Sequence, residues 1–314
     1  MQVIKSLEDI RISERTAVAV GNFDGVHMGH RTILESAVDC AHRNGFLAVC
    51  YTFSNHPVNF FMEKNGMPEK CVKLICTEAD KLDMLEKLGF DIVVNVPFDE
   101  NVMTMRAMDF IHAILKDKLN AAAVCCGFNY SFGVKAEGNV ELLKSECSNL
   151  GITVNVHDAV EIDGTVVSST EIRKLIKEGD MELLTRFLGR PYALSGTVSH
   201  GLALGREIGF PTMNITAPMT MALPPNGVYF TNAAVGGETF KAITNIGVKP
   251  TVEDTKVKSI ETNIFDFNDD VYDEKVTIEF LKWERPEVKF DNIEALTSQI
   301  SHDVNLAMEY HGLV

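Results

Sequence analysis

Two histidines, His27 and His30, lie in a glycine-rich stretch, GNFDGVHMGHR, that occupies residues 21–31. The stretch follows the apolar run TAVAV and opens an amphipathic segment, so the pattern predicts a strand, a loop and the start of a helix. Glycines let a backbone approach a phosphate closely, and a helix N-terminus offers unpaired N–H groups and a favourable dipole. Histidines three residues apart share one face of a helical turn, so both could donate to phosphoryl oxygens. The stretch therefore predicts a triphosphate site for nucleotidyl transfer.

Two other interpretations of this histidine pair stay open. The rings could cap or pack the helix, which is the usual role of an isolated H-x-x-H pair. Alternatively, His56 at the end of the next predicted strand could complete a three-histidine zinc site. Gly29 between the two histidines suits the approach of a phosphate better than it suits metal geometry, and no carboxylate stands in H-E-x-x-H register. The sequence therefore favours the phosphate site over the zinc site.

A second set of candidate ligands follows a glycine-rich interval in the other half of the chain. Thr212 and Asn214 are two residues apart in a segment predicted to be extended, so their side chains share one face. Both carry oxygen, which is the ligand of a hard cation such as Mg2+ carrying ATP phosphates. The preceding Gly201, Gly205 and Gly209 could form a flexible cradle, although glycines alone are more typical of β-turns.

The elements that must position the first site alternate between valine-rich apolar runs and amphipathic segments. This βαβ rhythm extends from TAVAV through AAAVCC, and Thr77 with Asp80 has the pattern of a capping box. It predicts a doubly wound parallel sheet. A last helical segment, STEIRKLIKEGDMELLTRFLG, ends at the stop signal Gly189-Arg190-Pro191.

The second site lies in a half with a different pattern. After Pro191, short alternating runs separated by glycine, proline and asparagine predict antiparallel strands, and an amphipathic helix over residues 293–310 closes the chain. All seven cysteines lie before residue 148, so the composition changes as well. We therefore predict two abutting domains, residues 1–186 and residues 187–314.

Composition narrows the class of protein. The 314 residues include 46% hydrophobic and 23% charged residues, which is typical of a folded globular chain. A net charge of -15 disfavours nucleic acid as a partner. Because the sequence has no apolar run of about 18 residues and no secretory signal, we expect no membrane association and a cytoplasmic location. Seven cysteines without a C-x-x-C pair indicate reduced thiols, not a disulfide framework. Composition does not predict the oligomeric state.

Three stretches of the first half resemble the motifs of one family. Residues 21–30 resemble the nucleotidylyltransferase signature in its flavin-adenylating form. Residues 167–173, VSSTEIR, resemble the second nucleotide motif, in which hydroxyls begin a helix and an arginine one turn later faces the phosphates. Residues 126–133, CGFNYSFG, resemble the flavin-site loop, whose aromatic side chains stack on an isoalloxazine ring. A generic helix cap and ordinary core packing are the structural alternatives for the last two.

The second half resembles riboflavin kinases. Residues 189–214 are similar to the kinase signature, including its P-T-x-N core, and further matches follow at residues 225–229 and 242–251. Glu261 stands where that family keeps its catalytic glutamate, although a strand glutamate without this context would be interpreted as a solvated surface group. The whole chain is thus similar to the bacterial bifunctional FAD synthetase family.

The resemblance implies a nucleotidylyltransferase-type parallel sheet, a riboflavin-kinase-type β-barrel with a closing helix, and two Mg2+-dependent reactions. In these, riboflavin and ATP give FMN and ADP, and FMN and ATP then give FAD and pyrophosphate. The implied catalytic residues are Glu261 as general base in the kinase and His27 and His30 in the adenylyltransferase.

The resemblance also implies the binding residues. Those for ATP in the adenylyltransferase are Gly21, Asn22, Phe23, Asp24, Gly25, His27, His30, Ser168, Ser169, Thr170 and Arg173. Those for its flavin are Phe128, Asn129 and Phe132. The kinase would bind ATP through Gly201, Gly205, Arg206, Gly209, Thr212 and Asn214, Mg2+ through Thr212 and Asn214, and its flavin through Arg285.

The sequence departs from the family at three places. Asn55 stands where the family usually has a proline. Residues 252–260 lack the aromatic residue and the glycines that are common in the corresponding loop of riboflavin kinases. Pro286, beside Arg285, is unusual at its position. Two rival functions are a single-activity enzyme with one domain kept as a scaffold and a non-catalytic flavin-sensing module. Retention of all five implied catalytic and metal-binding positions argues against both.

Overall fold

The computed structural model describes residues 1–199, 209–216, 218–249, 257–267 and 269–314. Within them the chain divides into two compact units, Met1–Ser169 and Thr170–Val314. The structural division thus falls between residues 169 and 170, whereas the predicted boundary falls between residues 186 and 187. The predicted boundary stays a prediction. No helix in the described ranges has both the length and the apolar character that crossing a membrane requires.

The first unit is built on a sheet of six parallel strands. The strands are β1 (Gln2–Ile4), β2 (Thr16–Val20), β3 (Leu47–Phe53), β4 (Ile92–Val96), β5 (Ala121–Gly127) and β6 (Thr153–His157). Their order in the sheet is β1-β4-β3-β2-β5-β6, with every pairing parallel. All residues of β2 and β4 are buried, as a sheet covered on both faces requires. The predicted doubly wound parallel sheet is confirmed.

Helices cover both faces of this sheet. They are α1 (Met28–Asn44), α2 (Pro57–Lys64), α3 (Glu78–Lys87), α4 (Glu100–Thr104), α5 (Ala107–Asp109, continued by π-helical turns over Phe110–Lys118) and α6 (Val140–Asn149). Leu34 of α1 and Leu85 of α3 share a buried cluster with Ala17 of β2, whereas the next residue, Val18, belongs to a second cluster with α6. Because neighbouring strand residues point to opposite faces, the two clusters are the two sides of one sheet.

The cap predicted before α3 is present at Thr77. The Thr77 hydroxyl accepts a hydrogen bond from the Asp80 amide at 3.1 Å. The Asp80 carboxylate accepts from the Thr77 hydroxyl at 2.7 Å. The cap therefore satisfies one amide of the first turn and holds its own hydroxyl in place.

The strand order reverses between β2 and β5. From β2 the chain continues outward through β3 to β4 on one side, and it then returns to β5 on the other side of β2. Loops that follow two such strands diverge and leave a crevice at the carboxyl edge of the sheet. The predicted phosphate loop follows β2 and the predicted flavin loop follows β5. The topology therefore brings these two motifs to the same crevice.

A short hairpin, β7 (Glu161–Ile162) and β8 (Thr165–Val166), precedes the second nucleotide motif.

The remainder of the chain forms helices and a closed barrel. Its elements are α7 (Ser169–Glu178), α8 (Met181–Leu188), β9 (Tyr192–Ser199), β10 (Met213–Thr216), β11 (Gly227–Val235), β12 (Glu238–Lys249), β13 (Val257–Ile264), β14 (Lys275–Pro286) and α9 (Ile293–Tyr310). The six strands close in the order β10-β13-β12-β11-β14-β9, with every pairing antiparallel. This confirms the predicted barrel, and α9 is the predicted closing helix.

The helical segment before the barrel differs from its prediction. It consists of two helices, α7 and α8, because Gly179 has a φ of 83°, in the left-handed region that ends a helix. The Asp180 carboxylate then accepts from the Leu183 amide at 3.0 Å and begins the second helix. The predicted stop at Gly189 is confirmed by its φ of 72°.

The seven cysteines all lie in described residues, and all are free thiols. Cys50, Cys76, Cys125, Cys126 and Cys147 are buried, whereas Cys40 and Cys71 are partly exposed. This agrees with the predicted reduced, mostly buried thiols.

Three threonine hydroxyls form a chain across three barrel strands. The Thr231 and Thr244 hydroxyls lie 2.8 Å apart, and the Thr244 and Thr262 hydroxyls are also 2.8 Å apart. All three side chains are buried. Because neighbouring Ile243 packs in the cluster that contains Ala307 of α9, Thr244 points to the opposite face of its strand, into the barrel. A buried hydroxyl needs a partner, so Thr244 satisfies both neighbours.

We predict that Thr244→Val destabilises the barrel, because it removes the central hydroxyl and leaves two buried hydroxyls without that partner. The free energy of unfolding should fall by about 2 kcal/mol in a urea titration. The single tryptophan, Trp283 in β14, makes fluorescence a probe of this half of the chain. Thr239→Val, at an exposed position of the same strand, is the matched control and should change stability by less than about 0.5 kcal/mol. Equal stability of the two variants would contradict the prediction.

Candidate active sites

The loop after β2 has an unusual backbone that shapes the first site. Phe23 and Val26 have positive φ values of 52° and 42°, which side chains bearing a Cβ rarely adopt. Gly25 has a φ of 80°, and a Cβ there would lie 2.5 Å from Cγ2 of Ile75. The loop therefore needs a glycine at this position for both conformation and space, and it stores strain at its neighbours.

The two histidines form one compact unit at the start of α1. His27 is the N-cap residue, and its Nδ1 accepts a hydrogen bond from the His30 amide at 3.2 Å. The imidazole rings stack with centroids 3.5 Å apart, and the edge of the His30 ring meets Phe23 at 5.4 Å. Because Nδ1 of His27 is an acceptor, a neutral His27 ring carries its proton on Nε2. Helix capping and a phosphate role are thus compatible in His27, since they use different ring atoms.

A buried lysine of helix α3 supports this loop through the end of the neighbouring strand β3. Lys81 of α3 is only 6% exposed, and its ammonium donates to the Phe53 carbonyl at 2.6 Å and to the Thr52 hydroxyl at 3.4 Å. The Thr52 hydroxyl donates in turn to the Asn22 carbonyl at 3.0 Å. Burial lowers the pKa of Lys81. Helix α3 is therefore connected to the phosphate loop through the end of β3, a link that sequence reasoning missed because Lys81 lies far along the chain.

Asp24 and Gly25 anchor the other side of the loop. The buried Asp24 carboxylate accepts from the Ile75 amide at 3.0 Å, and the Gly25 amide donates to the Cys76 thiol at 3.2 Å. These contacts fix the loop against the segment before α3. In the described structure, the Asp24 side chain thus contributes to the position of the loop backbone.

The second nucleotide motif begins beside the first. The Ser169 hydroxyl donates to the Asp24 carbonyl at 3.5 Å, and a Cβ on Gly29 would lie 3.3 Å from the Val167 carbonyl oxygen. Ser168 immediately precedes α7. Thr170 and Arg173 follow on that helix, with Thr170 exposed and Arg173 half-buried. The two motifs that sequence analysis paired are therefore in contact at Ser169.

An aromatic cavity of about 530 Å³ opens beside the histidine loop. Gly21, Asn22, Phe23 and His30 line one part of it, and the loop after β5 lines another. Its aromatic lining residues are Phe23, Tyr51, Phe53, Phe61, Phe98, Phe110, Tyr130 and Phe132. Tyr130 and Phe132 have stacked rings with centroids 5.5 Å apart. Such a lining suits a flat, conjugated ligand whose other end is anionic.

The three predicted flavin residues have different positions. Asn129 and Phe132 line the cavity, whereas Phe128 is 52% exposed and is not among its lining residues. Most of the aromatic lining was missed by sequence reasoning because it comes from β3, α2, the segment around Phe98 and the start of the π-helical turns. No motif joins these residues, and the sheet topology alone assembles them.

His56 does not share the arrangement of the histidine pair. It caps α2, with its Nδ1 accepting from the Val58 amide at 3.3 Å. It also lines a small cavity of about 30 Å³ together with Asp24 and Lys81. Over the residues that the structure describes, no group of three or more histidine, cysteine or acidic side chains is arranged to hold a metal ion.

The barrel brings the predicted kinase residues together through strand register. One row of paired residues crosses five strands in the order Asn214, Glu261, Asn245, Val228 and Arg285. Thr212, Glu261 and Arg285 also line one cavity of about 270 Å³, whose other walls include apolar residues of α9. Asn214 is 7% exposed and lies beside Glu261 in the sheet. Residues far apart in the chain therefore form one local set.

Helix α9 fixes the position of Arg285. The guanidinium forms a bidentate pair with Asp303, with Nε 3.0 Å from Oδ1 and Nη2 2.6 Å from Oδ2. Asp303 is 3% exposed, and its Oδ1 also accepts a hydrogen bond from the side-chain Nε2 of Gln299 at 2.8 Å. A planar fork held at two points keeps one orientation, so α9 presents Arg285 to the cavity. Asp303 and Gln299 were not predicted, since nothing in an amphipathic helix marks which polar residue is turned inward.

A further cavity of about 300 Å³ shares the lining residue Thr212 with the cavity that contains Glu261. It is lined by Val198, Met213 and Thr262 of the barrel and by the segment around Asp270. Gly209 is exposed with a φ of 88°. Gly201, Gly205 and Arg206, the other predicted ATP residues of this half, lie outside the described residues.

Two family models match the chain in succession. One, described as FAD synthetase, matches residues 9–171, and the other, described as riboflavin kinase, matches residues 188–311. A bifunctional riboflavin kinase/FMN adenylyltransferase of Bacillus subtilis is 34% identical, over 94% of this chain and 92% of the relative. The protein of that name from Haemophilus influenzae is 33% identical over 99% of both chains.

A solved structure has the same two-part architecture. The crystal structure of a Streptococcus pneumoniae protein named macrolide-efflux protein matches with a TM-score of 0.86 and 28% identity, over 97% of each chain. The likeness extends through the parallel-sheet unit and the barrel. Together with the two family models and the full-length relatives, it leads to one assignment: the chain belongs to the family of bifunctional riboflavin kinases/FMN adenylyltransferases, with an FAD synthetase domain followed by a riboflavin kinase domain.

Proposed function

We propose that the parallel-sheet unit adenylylates FMN at the histidine loop and the aromatic cavity, and that the barrel phosphorylates riboflavin at the cavity lined by Glu261. The observation that carries this proposal is the pairing of each reactive set with a suitable cavity. His30 lines a cavity rich in aromatic rings, and Glu261 shares an apolar-walled cavity with Thr212 and Arg285. Each half thus has groups for phosphate chemistry beside space for a flavin.

In the adenylylation step, a phosphate oxygen of FMN attacks the α-phosphorus of ATP and pyrophosphate leaves. Negative charge increases on the phosphates in the transition state, so fixed donors lower the barrier. Nε2 of His27 and the ring of His30 would supply these donors, together with the amides at the start of α1. The stacking of the two rings and the contact with Phe23 hold them ready before ATP binds. The remaining predicted residues, Ser168, Thr170 and Arg173, would bind the nucleotide.

In the kinase step, the Glu261 carboxylate accepts the proton of the ribityl 5'-hydroxyl while the hydroxyl oxygen attacks the γ-phosphorus and ADP leaves. Glu261 lies between Asn214 and Asn245 on the neighbouring strands, which restricts its position. Arg285, held by Asp303, would orient the flavin in the same cavity.

The donor set near Glu261 fits a Mg2+ ion. Thr212 and Asn214 offer a hydroxyl and an amide oxygen, and Mg2+ usually takes few protein ligands and completes its coordination with water and nucleotide phosphates. When bound, the ion neutralises charge on the ATP phosphates. We expect both reactions to require Mg2+ and the protein to be cytoplasmic, without nucleic acid or membrane partners.

For the histidine pair, we predict that His27→Ala and His30→Ala each lower the turnover of FMN to FAD by about 100-fold or more at saturating substrates, since each removes a donor to the developing charge. Riboflavin phosphorylation by the same variants is the internal control and should stay near the wild-type rate. Circular dichroism should confirm that the variants are folded. Wild-type FAD formation by either folded variant would show that the assignment of that residue is wrong.

For Glu261, we predict that Glu261→Gln lowers riboflavin phosphorylation by about 100-fold or more, because the amide keeps the shape of the side chain but cannot accept the proton. Adenylylation of supplied FMN should continue at the wild-type rate. Glu279→Gln, on strand β14 of the same barrel and outside the lining of this cavity, is the matched control. Unchanged phosphorylation by Glu261→Gln would exclude the base role.

For the domain boundary, we predict that a fragment of residues 187–314 folds, phosphorylates riboflavin and forms no FAD. A fragment of residues 170–314 is the matched comparison, because it keeps α8, whose buried Met181 and Leu184 belong to the compact unit. Flavin products are separated after incubation with riboflavin and ATP. If only the longer fragment folds, the boundary at residue 187 is wrong; FAD formation by either folded fragment contradicts the division of labour.

A further inference from the structure

Tyr51 is one of the residues that line the aromatic cavity, and its strand lies in the interior of the parallel sheet. It belongs to β3 and pairs with Val20 on one side and Val94 on the other. Its side chain is 2% exposed, and its ring makes edge contacts with Phe53 at 5.7 Å and Phe110 at 5.4 Å. The apolar part of Tyr51 is therefore fully packed.

The hydroxyl of Tyr51 is buried and has no hydrogen-bond partner among the described residues. Other buried tyrosines of this chain differ, because the Tyr229 hydroxyl donates to the Pro225 carbonyl at 2.6 Å and the Tyr192 hydroxyl to the Ala222 carbonyl at 2.5 Å. A buried hydroxyl without a partner destabilises the fold, so its presence here needs an explanation. Phenylalanine would pack equally well against Phe53 and Phe110.

A second phenol faces the same cavity. Tyr130 also lines it, and burial together with the nearby Tyr51 raises the pKa of Tyr130 well above its usual value. Burial raises the pKa of Tyr51 as well, with a smaller contribution from Asp99. Both groups therefore stay protonated at neutral pH, and the Tyr51 hydroxyl is available as a hydrogen-bond donor.

We propose that the Tyr51 hydroxyl donates a hydrogen bond to the polar edge of the isoalloxazine ring of FMN, and so makes Tyr51 a determinant of flavin affinity in the adenylylation step. This inference rests on the proposed function. It adds a residue outside every motif of the sequence, in a strand that would otherwise be interpreted as core.

The shape of the cavity supports this orientation of the ligand. The phosphate of FMN must reach the histidine loop, where His30 and Gly21 line the cavity, so the ring must occupy the aromatic part. The isoalloxazine ring has two carbonyl oxygens and ring nitrogens that accept hydrogen bonds, whereas the rings of Phe53 and Phe110, which contact Tyr51, offer no such acceptor. The Tyr51 hydroxyl has no acceptor among the described residues, so an acceptor on the ligand would satisfy it, and a site of this kind discriminates strongly by that one bond.

The test is the dependence of FAD formation on FMN concentration at saturating ATP, comparing wild type with Tyr51→Phe. Only the adenylylation reaction is measured in this way, so flavin binding at the barrel does not interfere. Because the bond forms with the ring and not with the reacting phosphates, its loss should raise KM for FMN by about tenfold while kcat and KM for ATP change by less than about twofold. Thermal unfolding of the ligand-free variant should occur at or above the wild-type temperature, since the substitution removes only an unsatisfied group.

Tyr229→Phe is the matched control, since it removes a buried hydroxyl that has a carbonyl acceptor in the barrel. It should lower thermal stability and leave KM for FMN in adenylylation unchanged. An unchanged KM for FMN in Tyr51→Phe overturns the inference. So does a clear loss of stability in the ligand-free variant, because the hydroxyl would then have a structural partner. Failure of the wild-type protein to form any FAD from FMN and ATP would instead overturn the proposed function, and the two failures are distinguishable.

Discussion

The reversal of strand order between β2 and β5 is the constraint on which the first site depends. Parallel strands end at the same edge of a sheet, and a reversal leaves the loops after the two central strands apart at that edge. The strained loop with His27 follows one strand, and the loop with Tyr130 and Phe132 follows the other. The histidine loop and the aromatic loop that lines the cavity are therefore neighbours because of topology, although about a hundred residues separate them in the sequence.

In the barrel, strand register brings together side chains that are far apart in the sequence. Antiparallel pairing places Asn214, Glu261 and Asn245 side by side, and the pairing of β11 with β14 extends the row to Arg285. A slip of one residue in β13 would turn Glu261 to the other face of the strand. The buried chain of Thr231, Thr244 and Thr262 hydroxyls crosses the same strands and helps to fix that register.

Much of this could be predicted from the sequence. The βαβ rhythm and the later alternation gave the fold class, and both family models confirm the resemblance to a bifunctional enzyme. Local motifs also located the histidine pair, since His27 caps the helix it was expected to begin. One local prediction was wrong. Gly179 divides a segment that was predicted to be one helix, because its positive φ interrupts the helical pattern around it.

Other features could not be predicted, because they depend on contacts between distant elements. Lys81 has an ordinary amphipathic context, yet it is buried against the end of β3. Tyr51 is one letter in an apolar run, and only the finished sheet makes it part of the lining of a cavity. Phe128 shows the opposite case, since a motif resemblance marked it although its side chain is largely exposed.

The burial of most thiols determines how readily this protein reacts with oxidants. Burial raises the pKa of Cys50 and Cys126 to about 12 and that of Cys147 to about 11. Thiolate is the form that reacts with peroxides and alkylating agents, so almost none of these sulfurs is reactive at neutral pH. The partly exposed Cys40 and Cys71 line none of the three large cavities. The five buried thiols are therefore protected from oxidants, and sulfhydryl labels would attach at Cys40 and Cys71, outside the lining of these cavities.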